Sequence, residues 1–233
     1  MIRGVFDMEK NMCSKITYEQ IRTNEEINIL IEQGNAVLGA LGYTEHSKKH
    51  AAKVAKQAGD ILEGIGCNAE KIELAKIAGY MHDIGNTVNR NDHAHTGAIM
   101  AYQILKELGM PLKDAAVITS AIGNHDEKTG TAIDEVSAAL ILADKTDVRR
   151  NRVRTSPVSK FDIHDRVNYA VLSAELVVDK EQRVMQMIME LDDSICSVMD
   201  YFEIFLQRMV MCQRAAAVLG YKFQLIANGS KLC

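Results

Sequence analysis

"GYMHDIGN", residues 79–86, sets a histidine directly before an aspartate, with glycines on both sides and apolar residues upstream. Ile72, Ala75 and Gly79 recur at three- and four-residue spacing, as one face of a helix does, and His82 continues that row. A histidine on such a stripe points inward. Asp83 lies about 100° further round the helix and leans toward the same space, while the small Ala75 and Gly79 let another helix come close.

The same test applied outward finds four more polar residues at the ends of apolar stripes. In "HAHTGAIMAYQILKEL", residues 93–108, His93 shares a face with Gly97, Ala101, Ile104 and Leu108. His95 instead shares one with Ile99, Tyr102 and Lys106, which makes it a supporting or surface residue. His50 runs into Val54, Ala58 and Ile61, and His46, one turn earlier on a similar face, stays open as an alternative. Ile118, Ala121 and Ile122 lead to His125; Ser137, Leu140 and Ile141 lead to Asp144. Any one buried histidine is more often a hydrogen-bonded core residue than a ligand. Four imidazoles and two carboxylates converging without compensation carry a desolvation cost on the order of several kcal/mol, which a bound divalent cation reverses.

Around these residues the chain reads as mainly α. Residues 18–148 show helical periodicity broken by short Gly/Asn/Asp loops, which predicts helices near 18–41, 45–64, 69–84, 93–109, 111–125 and 132–149. "RRNRVRTSPVSKFD", 149–162, breaks the pattern and reads as a linker or exposed loop. In "DIHDR", 162–166, the aspartates read as caps of a helix start. Beyond it, "AELVVD" and "RVMQMIMEL" predict two strands around "DKEQ", with Met185, Met187, Met189 and Leu191 on one face. A helix over 193–219 follows, started by Asp192 or Asp193, striped by Met199, Phe202, Met209 and Cys212 and stopped by Gly220; "YKFQLIA" is the third strand. The expected division is an N-terminal helical extension (1–44), a helical core (45–150), and a linker with a small C-terminal α+β module of β-β-α-β order (151–233).

The 233 residues hold 47% apolar side chains, ample for a core, and 27 basic against 31 acidic residues spread along the chain. That balance gives no global reason to expect nucleic acid or a membrane surface as partner. "MIRGVFDMEKNMCSK" lacks a signal-peptide core and no stretch has the roughly 18 apolar residues needed to cross a bilayer, so a cytoplasmic protein is expected. Cys13, Cys67, Cys196, Cys212 and Cys233 form no C-x-x-C pair and read as reduced packing thiols. The methionine-rich strand and long helix read as core or as the contact of a homodimer.

The order His50, His82-Asp83, His93, His125, Asp144 resembles the HD-domain metal-dependent phosphohydrolase superfamily, in particular members with extra histidines between the HD pair and the last aspartate. "HAAKVA", "AGYMHDIG", "HAHTGA" and "ILADKTD" are similar to its successive ligand segments, over about residues 45–150. Asn86 and Asn124 stand where some cyclic-dinucleotide phosphodiesterases of the superfamily carry a lysine and a further histidine, so the pattern is closer to two-metal members acting on nucleotides or phosphate esters. The resemblance implies an HD helical bundle in which His50, His82, Asp83 and Asp144 hold one metal and His93, His125 and a bridging Asp83 the other. It also implies hydrolysis of a small-molecule phosphate ester or nucleotide by a metal-activated hydroxide. The mixed His/Asp donors suit iron, manganese, zinc or cobalt.

Asp83, Lys145 and Arg149 are the candidate catalytic residues, the two cations because they follow Asp144 by one and five positions. Arg150, Arg152 and Arg154 are further candidates for reaching phosphate oxygens. Two other functions fit the same ligands: a di-iron oxygenase on this fold, and a non-catalytic sensor whose metal is structural.

Overall fold

Asn24 splits the first helical stretch in two. In the computed structural model, which describes residues 16–154 and 161–232, its side chain accepts from the Ile27 amide at 3.0 Å and starts α2 (Glu25–Ala40) directly after α1 (Tyr18–Thr23). An N-cap asparagine satisfies one of the amides that a helix start leaves without a partner, so the single helix expected over 18–41 is broken there. Ser47 opens α3 (Lys48–Ile65), and Gly66, at φ +87°, ends it in the left-handed region that favours glycine.

Asn68 caps α4 (Ala69–Met81), and a short 3-10 turn, Ile84–Thr87, follows the His82-Asp83 pair. Then come α5 (His93–Glu107), α6 (Leu112–Gly123) and α7 (Glu135–Lys145). The last is shorter than expected because Asp134 and Ser137 form a reciprocal cap at its start. Val136 through Ala143 are all buried, which makes α7 the central helix, packed against α3, α4 and α6.

Glycines decide how closely the site-bearing helices meet. A Cβ on Gly79 would stand 2.8 Å from Ala55 Cα and 2.9 Å from its nitrogen, so α4 lies backbone to backbone on α3. A Cβ on Gly85 would overlap the His93 carbonyl oxygen and sit 2.5 Å from the Gly97 nitrogen, so the turn after the HD pair rests directly on the first turns of α5.

The stretch 149–154 is no solvated linker. Arg150 Nε donates to the Tyr169 carbonyl at 2.6 Å, and Arg152 is buried, donating to the carbonyls of Asp147 at 2.7 Å and Glu45 at 2.9 Å. Arg154 ties to Asn35. Guanidinium groups are tolerated inside because each finds acceptors. The remainder of the expected loop, 155–160, lies outside the described residues.

Asp162 caps α8 (Ile163–Ala170), and β1 (Val171–Asp179) and β2 (Val184–Leu191) form an antiparallel hairpin. The long helix is α9 (Val198–Val218). It starts not at Asp192 or Asp193 but at Ser197, whose reciprocal cap with Asp200 fixes the end, while Asp192 receives Arg150. Its apolar stripe is Tyr201, Phe205, Met209 and Cys212; Met199 is exposed, and Gly220 follows at φ +78°. β3 (Lys222–Ala227) pairs parallel to β2, and a short β4 (Ser230–Lys231) completes a sheet of order β1-β2-β3-β4. Met185, Met187 and Met189 stand opposite Phe223, Leu225 and Ala227, all buried. α9 packs on α7, so one apolar core runs through both halves. No helix among the described residues is long and apolar enough to cross a membrane.

Gly79→Ala should lower stability by about 1–3 kcal/mol, since the new methyl meets backbone that cannot swing away. Gly123→Ala, whose Cβ would meet only Ala98 Cβ at 3.6 Å, is the matched control and should leave the urea midpoint unchanged or raise it.

Candidate metal centre

Four helices end or begin at one point inside the bundle. His50 lies in the first turn of α3, His82 is the residue closing α4, His93 opens α5, and His125 stands just past the end of α6. All four are buried, as is Asp83, and the Asp144 side chain from the last turn of α7 is 12% exposed.

Each imidazole has its Nδ1 engaged by an oxygen. His82 Nδ1 is 2.8 Å from the Gly79 carbonyl, His93 Nδ1 3.1 Å from that of Arg90, and His125 Nδ1 2.6 Å from that of Ile122. In each case the acceptor is three residues back. Carbonyls in the last turn of a helix lack amide partners, so histidines placed where α4 and α6 stop meet an acceptor at that spacing. His50 Nδ1 instead donates to Asp147 Oδ2 at 2.7 Å. A carbonyl or carboxylate can only accept, so Nδ1 carries a proton in all four rings, which leaves a bare Nε2 lone pair on each ring that is neutral.

Those lone pairs face one another and the carboxylates. Asp83 Oδ2 is 3.2 Å from His82 Nε2 and 3.7 Å from His50 Nε2, whereas Asp83 Oδ1 is 3.7 Å from His93 Nε2 and 4.0 Å from His125 Nε2. Asp144 Oδ1 lies 3.4 Å from His50 Nε2 and 3.6 Å from His82 Nε2. His93 Nε2 and His125 Nε2 are 3.2 Å apart. The buried atoms His50 Nε2, His82 Nε2 and Asp83 Oδ2 have no hydrogen-bond partner among the described residues.

Three overlapping groups are compact enough to hold a metal ion: His50, His82 and Asp83; His82, His125 and Asp144; and Asp83, His93 and His125. Inward acceptors with no donor to match them are what a cation requires, and the donors present fit one.

The electrostatics agree. Burial keeps His93 below and His125 well below the usual imidazole range. For His82, burial is outweighed by Asp83 and Asp144, which pull the imidazole up to about 10, so without a cation its Nε2 keeps a proton between the two carboxylates, in the place a metal ion would take. Burial would raise Asp83 and Asp144, yet His82 beside the first and Lys145 beside the second hold both carboxyls well below their ordinary value.

The other expected residues sit around this centre in different ways. Lys145 is buried with Nζ 2.7 Å from Asp144 Oδ2 and 3.8 Å from Glu127. Arg149 makes a bidentate pair with Asp147, at 2.7 and 2.9 Å. Both cations are near the cluster, but each is turned onto a carboxylate. His46 gives its Nδ1–H to the Thr44 carbonyl and packs edge-on against His50, in none of the compact groups. His95 is exposed on the far side of α5 near Asp92. Asn86 donates to Asp83 Oδ1 at 2.8 Å, and Asn124 bonds back to the Ser120 carbonyl.

Asp147 was not singled out from the sequence, although its spacing of three from Asp144 is the signal that could have done so. Fully buried, it orients His50 and receives Lys53 at 2.6 Å as well as Arg149. Although burial opposes ionisation, the hydrogen bond from His50 and the arginines around it hold its carboxyl far below the usual range. Also unforeseen is the pair Arg208–Glu127, at 2.8 Å, between α9 and the loop after α6. Arg208 and Lys145 together outweigh burial and keep the Glu127 carboxyl below its ordinary value. No local pattern links residues 81 positions apart.

Residues 48–149 match the family model of the HD domain. Over those residues the chain carries the HD domain. It is 28% identical over 192 residues to an uncharacterized protein of Methanocaldococcus jannaschii, covering 72% of each chain. It is 29% identical to Ribonuclease Y of Oceanobacillus iheyensis over 171 residues, 67% of this chain but 31% of that protein's length. A crystal structure described as a predicted HD superfamily hydrolase from an uncultured Thermotogales bacterium shares 25% identity over 53% of this chain and 67% of its own, with a TM-score of 0.42.

Asp147→Asn should weaken metal retention by about 10–100-fold, because the partner of a metal-binding histidine sets its orientation and basicity. Competition with a chelator measures this, and a helical circular dichroism spectrum like that of the wild type is expected alongside.

Proposed function

We propose that this chain is a metal-dependent phosphoester hydrolase with two metal positions sharing Asp83, acting on a nucleotide or another small phosphate ester. The observation that supports it most is the division of the Asp83 carboxylate: Oδ2 faces His50 and His82, Oδ1 faces His93 and His125. In this reading His50, His82, Asp83 and Asp144 would hold one cation, and His93, His125 and Asp83 the other. The chemistry that divalent cations would supply there is Lewis acidity, which would lower the pKa of water and neutralise charge on the phosphoryl group.

The protein's own groups keep that centre in order. The Nδ1 contacts fix the four rings in one tautomer, Asn86 orients the Asp83 carboxylate, and Lys145 restrains Asp144 while offsetting part of its charge. Lys145 and Arg149 act in this reading as tethers of carboxylates rather than as direct partners of the substrate. The likeness to Ribonuclease Y favours a second substrate for the same chemistry, an RNA phosphodiester.

Protein isolated without chelator should carry near two equivalents of metal, by elemental analysis, and release phosphate from a nucleotide panel after addition of manganese or iron. Asp83→Ala should remove both the metal and at least a thousandfold of the activity. Full metal content with no hydrolysis of nucleotides, bis(p-nitrophenyl) phosphate or short RNA would overturn the reading. Cleavage of the RNA alone would select the second substrate.

A further inference from the structure

The cations gathered round the metal centre are almost all committed to internal acceptors. Lys53 and Arg149 pair with Asp147, Lys145 with Asp144, Arg208 with Glu127, and Arg152 with two carbonyls and Asp147. Arg90, in the segment between the HD pair and α5, differs. It forms no ion pair with a carboxylate among the described residues, and its side chain is half-buried. Its Nη1 reaches only two neutral acceptors, Asn86 Oδ1 at 3.4 Å and the His93 Nε2 lone pair at 3.3 Å, both long for an N–H donor. The guanidinium lies 5.5 Å from the centre of the Tyr43 ring, itself well exposed.

We infer that Arg90 is the residue that grips the phosphoryl group of the substrate, with Tyr43 bracing its guanidinium. The inference rests on the phosphoesterase reading above and deepens it. Arg90 stands against the same two residues, Asn86 and His93, that border the centre on the Asp83 Oδ1 side. A guanidinium has five N–H donors in a planar fork that fits two oxygens of a phosphate. A cation held by His93 takes the Nε2 lone pair, so Arg90 loses that acceptor and its donors are left for an anion at the metals. Arg149, the cation that its sequence position favours, has its Nε–Nη2 edge on Asp147, so its charge is already paired there.

The test uses the full chain loaded with manganese and inorganic phosphate as the probe, followed by titration calorimetry, with metal content measured in parallel. Arg90→Ala should keep the metal content of the wild type and weaken phosphate binding by about 10–100-fold, as loss of hydrogen bonds from a charged donor implies. Arg90→Lys should recover part of the loss, since it restores the charge without the fork. Tyr43→Ala should weaken phosphate binding by about 2–5-fold. Unchanged phosphate affinity in Arg90→Ala would overturn the assignment, as would metal loss in that variant, which would make Arg90 a support of His93. Failure of the metal-loaded wild type itself to bind phosphate would overturn the assignment together with the phosphoesterase reading, and so is distinct from failure of the variant alone.

Discussion

Two imidazole nitrogens, those of His93 and His125, face each other at 3.2 Å with no proton to share, because each ring has already committed its proton to a carbonyl on the other side. Lone pair against lone pair is repulsive, and burial removes the water that would relieve it. Around them His50, His82 and two carboxylates crowd the same buried space. A site arranged this way holds more acceptors than donors by construction, and helix ends are what allow it. The carbonyl three residues back takes the proton from one face of the ring and leaves the opposite face bare.

That arrangement demands close helix contact, and the glycines of the HD segment provide it. Gly79 brings α4 onto the backbone of α3, and Gly85 seats the following turn on α5, so His50, His82 and His93 converge without long side-chain reach. The same closeness explains how a residue as polar as Asp83 is tolerated here. Asn86, from the turn that Gly85 makes possible, supplies a donor to one of its oxygens.

Much of this was legible because helical periodicity reports which face is buried. His50, His82, His93, His125 and Asp144 each sat at the end of an apolar row, and the structure brings those rows together. The methionines of β2 were legible by alternation for a similar reason. What periodicity cannot report is a partner distant in the chain. Arg149 stood out because sequence position measures proximity, not pairing, and Asp147 takes the Nε–Nη2 edge of its guanidinium. Caps were misplaced where two candidates competed: the serine at 197 won over the aspartates at 192 and 193 because Asp200 lies three residues on to complete the reciprocal bond, whereas Asp192 is drawn to Arg150.

The contact from α9 to the loop after α6 carries a consequence for where this unit begins and ends. Arg208 holds Glu127, Glu127 faces Lys145, and Lys145 restrains Asp144, so the sheet-bearing half reaches the His/Asp cluster through three side chains. The family boundary at residue 149 falls inside that chain of contacts and also separates Asp147 from the buried Arg152. Recombination between relatives at the family boundary would therefore transplant the histidines intact while taking Arg208 from Glu127 and Arg152 from Asp147. Only exchanges that carry the long helix along, or replace its arginine from elsewhere, preserve the balance of charge behind the aspartate.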